Sequence, residues 1–433
     1  MKKVLAEFRR FSRRFSAAQQ ARRIAKDIHR LRQSAGPDAP LKVAVRVTGG
    51  IGDHIVAARF LRDLIAAVGP LALDIYSPKR EIAAWIFRSL DAPVACFHER
   101  ILWDRLRPSY AVAFYVTQFA VVYTETVDWM YLSERAPKLR DVAVRLEEFR
   151  PSIEACIQHH PRLDGHLGRI ASFMGYGRRN FLQGMANIPY GGDALPIETD
   201  PGALEKFGLA GRAYVTIHNG FDAEFDKAAP TSTKVYARFD DVVARLKRLY
   251  PDLLVVQVGT VTSKAIASAD LNLIGATTIR ELAAIIQHAH LNIDNESGIV
   301  HLASCFDVRS CVVFGPTSVD YYAYPQNINL RPPVCGDCWW VNENWMNRCA
   351  KGHEQAPCMS LRSPDSVVAA LSEELAAWHE AEAGHETFDE LPVQDRGRGA
   401  GYGFPPGREI VDGAVRVLMG LGPVWLTFGQ LIA

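Results

Sequence analysis

The sequence lacks a long apolar run, a strong excess of one charge and a complete dinucleotide fingerprint. Residues 1–35 contain no uninterrupted apolar core, so no secretory signal is expected. Without one, the eight cysteines read as thiols of a reducing compartment, where a cluster serves a metal more often than a disulfide. The apolar end, Val417 to Ala433, is interrupted by Gly420, Gly422, Pro423 and Gln430 and falls short of the ~20 residues a spanning helix needs. The net charge is +1, with eleven Lys or Arg in residues 1–35 against Glu7 and Asp27, so the remainder carries −8. An acidic body argues against nucleic acid as the ligand. The loop Thr48-Gly49-Gly50-Ile51-Gly52-Asp53 places Ile55 where the dinucleotide fingerprint needs its third glycine, which ranks an NAD-dependent enzyme low.

What is present is a repeated strand–loop–helix pattern. Lys42 to Val47 is an apolar strand, followed by the glycine loop and a helical period from Ile55 to Val68. Further strands are expected at Leu71–Tyr76, Val94–Phe97 and Ala111–Val116, and a helix over Leu139–Ile157. Tyr190 to Gly202 is rich in Gly, Pro and Asp and reads as a linker. The pattern restarts with the strand Ala213–Ile217, which ends in His218-Asn219-Gly220, where ligands gather in open α/β sheets. A helix over Phe239–Tyr250, a strand over Leu253–Gly259 and a helix lead-in over Ile279–His290 follow.

The chain is organised around LNIDNESGIVHLASCFDVRSCVVFGPT, Leu291 to Thr317. A strand ends near Asp294, a polar turn follows, and Ile299, Val300, Leu302, Ala303 and Phe306 recur at helical spacing. Such a turn presents unpaired N–H groups and the positive end of a helix dipole, where a diphosphate is held. Gly298 admits close approach of a ligand to the backbone.

This stretch resembles the donor loop of the ADP-heptose heptosyltransferases, glycosyltransferase family 9: an acidic residue, Ser or Thr, Gly, two residues, His, then a helix and a strand ending Phe-Gly-Pro-Thr. The matching residues are Glu296, Ser297, Gly298, His301 and Phe314–Thr317, with Glu296 where the family usually has Asp. The Gly52-Asp53 ending of the first loop is also similar. The resemblance implies the glycosyltransferase B arrangement: two facing Rossmann-like, doubly wound α/β domains, with the active site in the cleft between them. It implies inverting transfer of a sugar, foremost heptose from ADP-heptose, with no catalytic metal. Asp53 is implied as general base, with Gly49, Gly50 and Gly52 in the acceptor-side loop. Lys234 and the Ser297–Gly298 backbone are implied at the diphosphate, Glu296 or Asp294 at donor hydroxyls, and His301 as loop support. Asn219, Gly220 and Gly259 complete the expected donor side. At Gln257–Thr260 no clear counterpart of the family's nucleoside-contacting loop is seen.

Cys335, Cys338, Cys349 and Cys358 have the spacing C-x2-C-x10-C-x8-C, a soft-metal pattern able to enclose one tetrahedral ion. His353 is an alternative fourth ligand. Zinc is the chemical default, and iron competes because relatives that modify autotransporters carry a four-cysteine iron site. Cys96, Cys156, Cys305 and Cys311 read as small buried residues. Val4, Phe8, Phe11, Phe15, Ala18, Ile24, Ile28 and Leu31 form one stripe of a basic amphipathic helix. That helix either lies on an anionic membrane surface or packs on the body or a second subunit.

The expected organisation is a basic helix over 1–40, an acceptor-side domain over 41–190, a linker over 191–212, and a nucleotide-sugar domain over 213–380 with a metal finger at 335–358. A flexible tail with an apolar end occupies 381–433. The expected location is cytoplasmic, with peripheral contact to the inner membrane face through 1–35 and 410–433 left open, as is homo-oligomer formation. The acceptor is a lipopolysaccharide core, another surface or lipid-linked glycan, or a protein side chain. The alternatives are a catalytically degenerate binding or assembly protein of the same fold, and a transferase using another nucleotide sugar.

Overall fold

The computed structural model describes the backbone of residues 2–34, 36, 39–220, 232–383, 410–411, 414–419 and 422–427, and side chains within 18–376 apart from 35, 37–38, 98–101 and 221–231. Two α/β halves each carry a mostly parallel sheet. The first contains β1 (Leu41–Val47), β2 (Leu71–Ser77), β3 (Val94–His98), β4 (Ala113–Val116) and β5 (Ala120–Val122), in the order β3-β2-β1-β4-β5. All neighbours run parallel except β4 and β5. β1 is apolar nearly throughout because it is central: Val43, Ala44, Val45 and Val47 are fully buried, as expected for a strand covered on both faces.

The second half contains β6 (Tyr214–His218), β7 (Leu254–Gln257), β8 (Leu271–Asn272), β9 (Leu291–Asn295), β10 (Ser310–Val313) and β11 (Ile328–Leu330). Their order, β11-β10-β9-β6-β7-β8, is wholly parallel. The chain order reverses between β6 and β9 here, and between β1 and β4 in the first sheet. Those two reversals open the crevices at which open α/β sheets bind ligands.

Five helices matter below: α1 (Lys2–Ser34), α2 (Ile51–Val68), α3 (Asp164–Phe173), α4 (Phe239–Leu249) and α5 (Gly298–Cys305). The second part of α1 packs on the body: Ala21 and Ile28 are buried with Tyr76, Trp103 and Tyr110, and Arg32 pairs with Asp128. The docked reading of the basic helix therefore holds for residues 18–34, and the side chains of Val4 to Phe15 lie outside the described residues. The helix expected over Leu139–Ile157 is interrupted: Pro137–Phe149 is α-helical, Arg150–Ile153 is 3-10, and Glu154–Gln158 is helical again. Pro151 lacks the N–H that an unbroken helix would use.

The tail is a separate unit from Ala377 onward. Within it, Ile410–Val411, Ala414–Met419 and Gly422–Thr427 form an antiparallel three-stranded sheet. The apolar end of the expected tail is thus partly β-strand among the described residues. Within the flexible tail expected over 381–433, residues 384–409 lie outside the described residues. Among the described residues, no helix is long and apolar enough to cross a membrane.

Candidate functional site

The loop between β1 and α2 turns at Gly49, whose φ of +102° suits glycine. A Cβ on Gly49 would stand 2.1 Å from Asp53 Oδ2. That oxygen accepts the Gly50 N–H at 2.9 Å, which caps the start of α2. Asp53 Oδ1 accepts from Arg178 Nη2 at 2.9 Å and from Gln118 Nε2 at 3.2 Å. Gln118 Oε1 in turn accepts the Tyr321 hydroxyl at 3.3 Å, and the Arg178 N–H donates to Tyr321 O at 2.6 Å. Burial pushes the Asp53 carboxyl up, but Arg178 and the Gly50 N–H outweigh it and hold the carboxyl below its ordinary value. Arg178 is raised despite burial by the charges around it, Asp53 among them.

On the other side, β6 and β9 bring two loops together at the reversal of strand order. His218 Nδ1 lies 2.8 Å from Asp294 Oδ1, and Ser297 Oγ donates to Asp294 Oδ2 at 2.5 Å. Ser297 Oγ also accepts the Ile299 N–H at 3.1 Å, as the N-cap of α5. The Gly220 N–H donates to His218 Nε2 at 3.2 Å, which assigns the imidazole proton to Nδ1 and aims it at Asp294. Burial raises the Asp294 carboxyl, opposed by His218 and Ser297. Both Asp294 oxygens thus have a partner, and the residue is wholly buried.

Glu296 and Lys234 form an ion pair at 2.6 Å, with side chains only 9% and 17% exposed. The longer acid that stands where the family usually has Asp therefore meets the lysine expected at the diphosphate. Asn219 donates to Lys264 O at 2.9 Å, and Asn295 Nδ2 donates to Gly220 O at 3.1 Å. Gly259 lies against Ser263 and His218.

The two loops touch. The Cβ position of Gly298 is 3.4 Å from Gly52 N, and a Cβ on Gly52 would lie 2.5 Å from His301 Cδ2. His301 Nδ1 is 2.6 Å from the Tyr324 hydroxyl. Burial, with Arg59 and Arg178 nearby, pushes the imidazole down to about 3, so His301 is neutral at physiological pH. Arg59, fully buried on α2, reaches across to Tyr324 Oη at 2.7 Å and Ser304 Oγ at 2.9 Å. Gly52→Ala is therefore expected to drive the His301 ring from its place and destabilise the chain by ~1–3 kcal/mol. A lowered thermal midpoint would show this; an unchanged one would mean the loops separate without cost.

The cysteine loop is not assembled as a ligand cluster: among the described residues, no group of three or more His, Cys, Asp or Glu side chains could hold a metal ion. Yet Cys335, Cys338, Cys349 and Cys358 line one cavity of about 30 Å³ with Thr233, Pro316, Trp345 and Lys351. Burial first, then the other thiols, pushes Cys358 up to about 12 and raises Cys338. The loop also crosses to the first half. Arg169 on α3 meets Asp337 at 3.2 Å; within the second half, Trp339 stacks on Tyr321 with centroids 6.0 Å apart. Cys156, Cys305 and Cys311 are buried as expected, while Cys96 is half-buried.

Sequence reasoning missed Arg178, Gln118, Tyr321 and Arg59. An isolated arginine carries no periodic signal and usually faces solvent; only the tertiary fold reveals these as site residues.

No curated protein matches the chain. Among solved structures, the ADP-heptose lipopolysaccharide heptosyltransferase II of E. coli is 13% identical over 78% of this chain and 100% of that one, with a TM-score of 0.48. The iron-containing dodecameric glycosyltransferase TibC of enterotoxigenic E. coli is 12% identical over 78% of both chains, with a TM-score of 0.47. A family 9 glycosyl transferase from Veillonella parvula is 14% identical over 79% of this chain and 100% of that one, with a TM-score of 0.44. The resemblance read from the donor loop is borne out at the level of sequence: residues 259–332, which carry β9, α5 and β10, match the glycosyltransferase family 9 (heptosyltransferase) model.

Proposed function

We propose that this chain is an inverting glycosyltransferase of the glycosyltransferase B arrangement that moves a sugar, heptose from ADP-heptose, to a glycan or protein acceptor. The observation that carries this reading is the meeting of two loops from two sheets. Asp53, at the β1 side of one strand-order reversal, stands across from the α5 N-terminus and the Lys234–Glu296 pair at the other. One side supplies a base, and the other supplies donors for an anion.

In the reaction, an acceptor hydroxyl oxygen attacks the anomeric carbon, and its proton passes to the Asp53 carboxylate. The bond from that carbon to the diphosphate oxygen breaks, and its electron pair leaves with ADP. Attack opposite the leaving group inverts the centre. Lys234 and the N–H groups at Ser297–Gly298 meet the charge that grows on the departing diphosphate, so no divalent ion is required there. Lys234 exchanges Glu296 for the diphosphate as donor binds, which releases Glu296 to a sugar hydroxyl. His301, neutral and bonded to Tyr324, supports the loop.

The four thiols line one cavity, and a structural zinc or iron ion there would have to draw them into the ligand cluster that they do not form in this structure. Bound there, the ion would hold the thiols as thiolates and keep the loop closed. The basic α1 fits a body working beside an anionic surface of the cytoplasmic membrane.

Calorimetry with a panel of ADP-, UDP- and GDP-sugars tests this reading. ADP-heptose is expected to bind, with slow donor hydrolysis. Binding of a UDP- or GDP-sugar in its place would remove the heptose assignment, and no binding at all would leave a scaffold protein.

A further inference from the structure

Lys234 is not fixed by its own element. It stands in the turn before α4, and Thr233 beside it bonds into the cysteine loop more than a hundred residues away. The Thr233 N–H donates to Met346 O at 2.7 Å, and its hydroxyl donates to Trp345 O at 2.7 Å. Two successive carbonyls of that loop therefore grip one residue by backbone and side chain. Ser232, buried, accepts the Lys234 N–H at 3.2 Å, so the gripped turn continues to the base of the lysine. The loop has its own anchors: the Cys338 and Trp339 N–H groups both donate to Pro316 O, at 2.8 and 3.0 Å. Trp345 is buried, and Thr233 and Trp345 line the same cavity as the four thiols.

We propose that Thr233 is a positioning residue through which the four-cysteine loop fixes Lys234 for the donor diphosphate. The inference rests on the reading of Lys234 as a diphosphate ligand. A lysine ends a flexible four-carbon stem and makes a point-charge contact. Ordering that stem costs entropy on binding, and a fixed Cα reduces what the diphosphate must order. Loss of the Thr233 hydroxyl leaves the Trp345 carbonyl without this donor and frees the turn.

ADP affinity, measured by calorimetry on the full chain, tests this with Thr233→Val, Thr233→Ser, Lys234→Ala and the Thr233→Val/Lys234→Ala double variant. Thr233→Val is expected to weaken ADP about five- to tenfold, in line with one lost hydrogen bond. Thr233→Ser keeps the hydroxyl and stays within about twofold of wild type. The double variant is no weaker than Lys234→Ala alone, because positioning a lysine has no effect once the lysine is gone. Thr233→Val binding ADP like wild type would overturn the inference, as would a double variant in which the two losses add. If circular dichroism shows Thr233→Val unfolded, Thr233→Ala takes its place in the same cycle. Lys234→Ala weakened beside an unaffected Thr233→Val removes this inference alone. Lys234→Ala binding ADP like wild type, or wild type failing to bind ADP, removes the underlying reading and this inference with it.

Discussion

Asp53→Asn is expected to lower kcat for sugar transfer by ~10²–10⁴-fold, the contribution of a positioned general base, while ADP still binds. The substitution keeps the size of the side chain but removes its capacity to accept a proton. The pH profile gives a second reading of the same group. Arg178 holds the Asp53 carboxyl below its ordinary value against the pull of burial. The base is therefore ionised across the neutral range, and its acid limb lies below the usual carboxylate range. Arg178→Met removes the main group that opposes burial and leaves chiefly the Gly50 N–H, so the limb is expected to move to higher pH. Stability follows the same sign. A carboxyl depressed in the folded state contributes stability above its unfolded value of about 3.9, and that contribution is lost as pH falls through the folded value. An Asp53→Asn enzyme with undiminished turnover would end the base assignment. An Arg178→Met profile superimposable on wild type would mean the 2.9 Å pair does not govern the titration.

Lys234→Ala is expected to cost ~10²–10³-fold in kcat/KM for the donor, the usual scale for one group aimed at developing charge. The effect has two sources. The diphosphate loses its cation, and Glu296, half of a pair at 2.6 Å with little exposure, is left as an uncompensated carboxylate close to where the diphosphate would sit. Glu296→Gln in the Lys234→Ala background separates them: recovery of donor affinity measures the repulsion, and the residual loss measures the missing cation. Unchanged donor kinetics in Lys234→Ala would place the diphosphate elsewhere.

The parts of the site that lie on one local element were legible in the sequence. The β1–Gly loop–α2 unit and the β9–turn–α5 unit each announce themselves by an apolar strand, small or polar turn residues and a helical period, because burial and backbone geometry are decided within a dozen residues. The pairings across the fold were not legible. Nothing near Arg178 in sequence points to Asp53, and nothing near Thr233 points to Trp345. The short strands β5, β8 and β11, two or three residues each, are set by the neighbours they pair with and have too few side chains for a period. The sequence likewise cannot show that His218 and Ser297 each bond one oxygen of Asp294. Glu296 was seen as a departure from the resemblance, and its physical content, a reach to Lys234, came only with the structure.

The cysteine loop carries Trp339, Trp340 and Trp345, three of the chain's eight tryptophans, and Trp339 and Trp345 are buried beside the thiol cavity or against Tyr321. The loop therefore has a native emission signal. A filled-shell zinc ion would leave the indole emission bright, whereas an open-shell iron ion at the same thiols would quench it at short range. Unravelling of the loop would expose the indoles to water and shift their light to the red. The brightness of the unlabelled protein thus separates an iron-filled loop from a zinc-filled one.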